Sequence, residues 1–347
     1  MRLSTWTKRT YVCSFCLPLL FSVCMFALHY VKSRTSAIPS IVINTNPLPA
    51  SPMEILKKYN LMEETFGSDW AEESVSIYLS PLDCTIEYAN KYQLQQDHPC
   101  VIRLIRENYL RLPAPKSLPY NFNHSETVDP SDGQSKEILR LLQNQTNGFF
   151  IECGGFDGEF LSNTLYMERS LGWSGLLIEA DKKVFKQLIA RNRKAFTSPA
   201  CLSTKPFPME VVYNGTLGAY GAIIEEKDTK QPKWNSSTDR PIQENTETIY
   251  KMQCFPLYSL LLSIGRTHVD YFGLDVEGSE YKILETIPWH KINVKTVTAE
   301  WNHVPEGEEG LTRLMENNKF KKTGLISNPY TRDVVYIQNS FNVYREK

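Results

Sequence analysis

Net charge is nearly absent from this chain: 38 Lys and Arg stand against 39 Asp and Glu, leaving −1 at neutral pH. Without a basic surplus there is no electrostatic footprint for nucleic acid. No internal repeat appears. The dinucleotide pattern G-x-G-x-x-G is missing as well, although glycines do cluster at Gly154, Gly155 and Gly158. Hydrophobic residues at 41% and aromatics at 12% exclude a disordered chain. At 347 residues there is room for one sizeable domain with extensions.

Formal charge is also missing from Tyr11–Val31, and that absence is local. As a helix the run would reach about 31 Å, enough for a bilayer core. Pro18 lies inside it, which membrane helices tolerate. Arg2, Lys8 and Arg9 precede it, and Lys32 and Arg34 follow. No small-x-small cleavage site comes after it, so the sequence predicts an uncleaved signal anchor over a cleaved signal peptide. Residues 1–10 would be a cytosolic tail, 11–31 the transmembrane signal anchor, and 32–52, rich in Ser, Thr, Pro and Asn, a stem. The bulk of a type II protein of this kind lies in the secretory lumen. Asn123, Asn144, Asn214 and Asn235 each head an N-glycosylation acceptor. Five cysteines follow the apolar run, and an oxidising lumen favours pairs. Cys84 with Cys100 would close a local loop, and Cys201 with Cys254 would tie two sheet-edge segments. Other pairings are open, and one cysteine must stay free; Cys153, inside the glycine turn, reads as a buried filler.

Residues 53–130 read as a small helical extension, with helical spacing over Met53–Phe66 and Cys100–Leu110. From residue 131 to 347, strands and helices alternate. Helices are predicted over Ser135–Gln143, Ser162–Leu171, Lys183–Asn192, Leu257–Ile264, Ser279–Thr286 and Leu311–Asn318. Apolar strands are predicted over Phe149–Cys153, Gly175–Glu179, Ser198–Leu202, Val269–Leu274, Val294–Glu300, Lys322–Ile326 and Val334–Ile337. Pro208–Tyr213 and Gly221–Glu225 suggest a hairpin insertion, and 227–248 a polar loop. The class is α/β, with a parallel, doubly covered, Rossmann-like sheet.

Chemistry concentrates at the strand ends. Phe149–Gly158 reads FFIECGGFDG and Leu176–Asp181 reads LLIEAD. An acid, Glu152, precedes the glycines, and a second, Glu179, ends the next strand where a ribose is held in such sheets. An acid before the glycine turn suits the cationic methionine end of S-adenosylmethionine (SAM). The fourth strand runs into Asp275, Glu277, Gly278 and Glu280; the fifth ends in Glu300, Trp301, Asn302 and His303. Gathered at one rim, these acids need a cationic ligand, a divalent metal or raised pKa values to coexist. Asp275, His303 and Glu300 are candidate catalytic residues, with Asp275 or His303 as proton acceptor. Asp275, Glu277 and Glu300 are candidate metal ligands. The bland readings stand beside these: Gly278–Glu280 simply starts a helix, Glu277 caps it, and His303 is a surface histidine.

Together FFIECGGFDG, LLIEAD, YFGLDVEGSE and TAEWNH resemble the FkbM-type methyltransferase family across about residues 131–340. That resemblance implies a class I methyltransferase sheet of seven strands, the last antiparallel, and SAM-dependent O-methyl transfer. It carries Glu152, Gly154, Gly155, Asp157, Glu179 and Asp275 over as cofactor contacts. The anchor, stem and domain, with the run SNTLYMERSLGWSGLLIEAD, are also similar to Star-like membrane proteins. That likeness implies endoplasmic reticulum and Golgi membranes, and a non-catalytic role in exporting growth-factor-type ligand precursors.

Overall fold

The structure is a computed structural model, and it describes residues 84–216, 221–224, 248–328 and 330–341. The anchor, the stem, the helix at 53–66 and Asn235 lie outside the described residues. Among the described residues no helix is long and apolar enough to cross a membrane.

β1 (Phe149–Cys153) is buried along its whole length, so it needs cover on both faces. Alternation divides its side chains. Phe149, Ile151 and Cys153 join one apolar cluster and Phe150 joins a second. The first cluster also takes Leu257, Leu260 and Leu261 of α6 (Leu257–Ser263), Ile283 and Leu284 of α7 (Glu280–Thr286), and Leu311 and Met315 of α8 (Gly307–Asn317). On the other face lie Ile138, Leu139 and Leu141 of α3 (Gln134–Leu141), Met167 of α4 (Leu165–Leu171) and Leu188 of α5 (Lys182–Ala190).

The sheet between these layers has seven strands in the order β10-β11-β9-β8-β1-β2-β3. β2 is Ser174–Ile178, β3 Phe196–Ser198, β8 His268–Leu274 and β9 Asn293–Glu300. These pair in parallel with one another and with β1. β11 (Thr331–Gln338) runs antiparallel between β9 and β10 (Phe320–Asn328). The chain leaves β1 toward β2 and β3, then returns to place β8 on β1's other side. That reversal makes a crevice at the carboxyl ends of β1 and β8.

A second sheet, ordered β4-β7-β5-β6, stands beside the first. The expected hairpin is β5 (Met209–Asn214) with β6 (Ala222–Ile224). The third strand stops at Ser198, before Pro199, and restarts as β4 (Cys201–Leu202), so its two halves serve different sheets. β7 (Ile249–Phe255) was not expected from the sequence; it bonds both β5 and β4. Cys201 is joined to Cys254, and Cys84 to Cys100, while Cys153 is free and buried. Ahead of β1, α1 (Ile86–Lys91) and α2 (Pro99–Leu104) pack into the same core as the sheet through Ala89, Val101 and Leu104. The helix expected over Cys100–Leu110 ends at Leu104 and passes into one wide turn, Ile105–Tyr109.

Candidate active site

The crevice holds a cavity of about 380 Å³, within the range of about 300–1,000 Å³ typical of small-molecule sites. Its floor is Cys153 and Gly154 after β1, Ile178 and Glu179 at the end of β2, and Asp275 after β8. Ala200, Cys201, Leu202, Tyr213 and Ile223 wall one side, and Glu300 closes another. Gly154 has φ +84°, and a Cβ there would lie 1.9 Å from the Asp275 carbonyl oxygen. Only glycine lets the two strand ends come this close.

Several of the anticipated ligand contacts are already engaged by the chain itself. Ser162 Oγ (3.0 Å), the Asn163 N–H (2.7 Å) and the Thr164 hydroxyl all donate to the Glu152 carboxylate. The start of the helix expected from Ser162 is therefore used as a loop, and α4 begins only at Leu165. Burial raises the Glu152 pKa against the pull of Arg193 and these donors. Glu179 accepts from the Phe156 N–H at 2.8 Å and the Asp181 N–H at 2.6 Å, and still lines the cavity. Burial pushes its pKa up to about 8.

Asp157 and Gly155 do not line the cavity. Asp157 accepts from the Glu159 and Phe160 N–H groups and pairs with Arg191 at 2.6 Å. The Gly155 N–H, like that of Gly154, donates to the Ile178 carbonyl. Both residues shape the turn. As cofactor contacts they are corrected, because their polar atoms face the protein.

The acids after β8 and β9 do converge. Carboxylate oxygens of Asp275, Glu280 and Glu300 lie within 4.8 Å of one another, and burial raises the Asp275 and Glu300 pKa values, Glu300 further through Asp275 beside it. Glu280 accepts from the Val276 N–H at 2.8 Å and the Gly278 N–H at 2.9 Å, which pins the turn that carries Glu277. Burial pushes Glu277 up to about 8 and Glu280 to about 7. His303 Nδ1 lies 2.5 Å from Glu277 Oε2 and 3.3 Å from Glu300 Oε2; the histidine stands at the rim and does not line the cavity.

Sequence reasoning missed Gln134, Asn163 and Asp333. Gln134 and Asn163 line the cavity, and each carries a buried carbonyl oxygen with no hydrogen-bond partner, Oε1 and Oδ1. Gln134 Nε2 donates to Thr331 Oγ1 and Asp333 Oδ2, both at 3.0 Å. Asp333 stands opposite Glu300 in the β9–β11 ladder, and burial pushes it up to about 8. No sequence signal marks Gln134 beyond its place at a helix start. Asn163, by contrast, sits in the singled-out run SNTLYMERS.

A family model for the methyltransferase FkbM domain matches residues 152–328. This chain belongs to the FkbM methyltransferase family. Three solved structures illustrate how far other methyltransferases lie from it. Human methyltransferase 10 domain containing protein is 11% identical, with TM-score 0.33, covering 74% of this chain and 98% of that one. A SAM-dependent methyltransferase from Aquifex aeolicus is 10% identical, with TM-score 0.30, covering 62% and 98%. The METTL16 methyltransferase domain is 12% identical, with TM-score 0.33, covering 84% and 93%. At such scores the fold assignment rests on the strand order of this FkbM domain alone. No curated protein matches the chain.

Proposed function

We propose that the FkbM domain binds SAM in this cavity and transfers its methyl group to a hydroxyl. One observation carries the reading: two buried carbonyl oxygens without donors, Gln134 Oε1 and Asn163 Oδ1, lie in the wall of an acid-rimmed cavity at the sheet's reversal point. They suit the ammonium of SAM, which brings N–H donors and positive charge, while Asp275 and Glu300 suit its sulfonium. Glu179, with lone pairs left over at the end of β2, is placed for the ribose hydroxyls. Bound SAM would supply an electrophilic methyl, transferred as its C–S bond breaks and a C–O bond forms.

The chain's own part is to exclude water, orient the acceptor and take its proton. Asp275, at the cavity floor, is the acceptor of that proton. Phe160 and Tyr330 line the mouth at 54% and 70% exposed. Flat apolar faces beside hydrogen-bonding carboxylates suit a sugar ring, so the acceptor is read as a glycan hydroxyl. The setting is read from the sequence: a type II membrane protein of the secretory pathway, its domain in the lumen. Calorimetry with the full-length chain and SAM tests the reading. Saturable heat is expected, and none at millimolar SAM rejects it.

A second reading keeps the fold without turnover, as a Star-like factor that carries growth-factor precursors from the endoplasmic reticulum. One observation favours it: Glu152 and Asp157 are bonded to the chain's own groups, as a domain that has given up its cofactor needs no free acids. Co-precipitation with such a precursor, retained by Asp275→Ala, would support it, and no capture by the wild type rejects it.

A further inference from the structure

The geometry points to a divalent-cation site built from Glu277 Oε2, Glu300 Oε2 and His303 Nδ1 at the rim of the cavity. Glu277 comes from the turn after β8, Glu300 from the end of β9 and His303 from the turn after it, and ligand atoms of the three residues lie within 4.8 Å of one another. Nδ1 stands 2.5 Å from one carboxylate oxygen and 3.3 Å from the other. Donors about 2.1 Å from a shared ion lie about 3.0–3.4 Å apart, so of the three pairs His303–Glu300 is already spaced for it, His303–Glu277 must open by under about 1 Å, and the two carboxylates lie within 4.8 Å of each other. Glu277 and Glu300 are held in place, with side chains only 13% and 9% exposed.

Charge asks for such an ion. Asp275, Glu277, Glu280 and Glu300 share one corner, and among the described residues no lysine or arginine forms an ion pair with any of them. An independent feature points the same way. Gln134, 5% exposed, lines the same cavity as Glu300. Its amide nitrogen is tied to Asp333, the strand neighbour of Glu300, and its carbonyl oxygen has no partner. An unpartnered hard oxygen in the cavity wall that Glu277 and Glu300 also line can accept either from the SAM ammonium or from water on a bound cation.

One imidazole with two carboxylates suits Mn²⁺ or Zn²⁺ better than Ca²⁺. The outer ring nitrogen of His303 meets the Asn302 side-chain amide at 3.1 Å. With that amide turned to present its oxygen, Asn302 would hold the ring in the tautomer that frees Nδ1 for the metal. Three protein donors leave positions open for an acceptor oxygen. That last role rests on the methyl-transfer reading; the site itself does not.

The test is titration of the full-length chain with Mn²⁺ alone, followed by the loss of the free-ion electron paramagnetic resonance signal, with SAM calorimetry run in parallel. About one equivalent should bind the wild type, and Glu277→Gln and His303→Gln should each weaken it at least about 10-fold. Glu126→Gln, at a position 74% exposed and outside the cavity lining, should leave it unchanged. Because His303 is half-exposed, its variant is the one expected to fold if Glu277→Gln does not. No binding by the wild type at about 1 mM Mn²⁺, or equal binding by the His303 variant, overturns the site. SAM heat without Mn²⁺ binding sinks the metal alone, and the converse sinks the methyl-transfer reading alone.

Discussion

Asp333 shows how single residues in this crevice are tuned. It is 4% exposed, accepts one hydrogen bond from Gln134 Nε2 and faces other acids, so burial pushes its pKa up to about 8. Glu179 and Glu277 rise to about 8 and Glu280 to about 7 for the same first cause, burial. A carboxyl whose folded pKa exceeds its unfolded value binds more protons when folded. Its stabilisation is whole below about 4 and fades as pH rises through about 8. Thermal unfolding of the full chain should therefore show a higher midpoint at pH 5.5 than at pH 8.5. Asp333→Asn should flatten that difference, and an equal slope in the variant would refute the assignment. Gly154→Ala should cost about 4 kcal/mol or more, since its Cβ would strike the Asp275 backbone at a positive φ. Asp275→Asn should lower kcat by about 10²–10⁴ and weaken SAM affinity, read by calorimetry, by a smaller factor, through the charge lost beside the sulfonium. A variant with wild-type turnover would remove Asp275 from the chemistry.

Among the elements, the β4–β7 joint ties the insertion to the cavity. Cys201 lines the cavity and is bonded to Cys254, its register partner across the two strands. With a sequence separation of 53, loop-entropy arguments give the bridge about 4 kcal/mol. Replacing both cysteines by alanine should lower the unfolding midpoint and weaken SAM binding together, because the wall and the bridge are one structure. Loss of stability with unchanged SAM affinity would separate the two. Peptide mapping without reductant should return Cys84 linked to Cys100 and Cys201 to Cys254, with Cys153 alkylated only after denaturation.

For the whole molecule, the proposed topology is a property of the N-terminal run, which lies outside the described residues. Translation with microsomes should yield a protein resistant to carbonate extraction, protease-protected over its C-terminal bulk and shifted by endoglycosidase. The exposed Asn123 and Asn144 are the best-placed acceptors. Full digestion by external protease would place the domain on the other side of the membrane and remove the secretory reading.

The sequence by itself determined the alternation of strands and helices, the glycine turn and the acids that end β1, β2, β8 and β9. Each is written locally: a continuous apolar run marks a central strand, a missing Cβ marks a tight approach, and a strand's last residue points to its rim. What an acid does there was decided only by tertiary structure. Ser162 and Thr164 reach back across the turn to Glu152, Arg191 claims Asp157, and Gln134 arrives beside Asp333 from nearly 200 positions away. Hydrogen-bond partners and burial are set by chain segments that meet in space, and no spacing along one segment encodes them. The same crossing of segments created β7, whose polar, half-exposed strand has no run of its own and exists because β4 and β5 flank it.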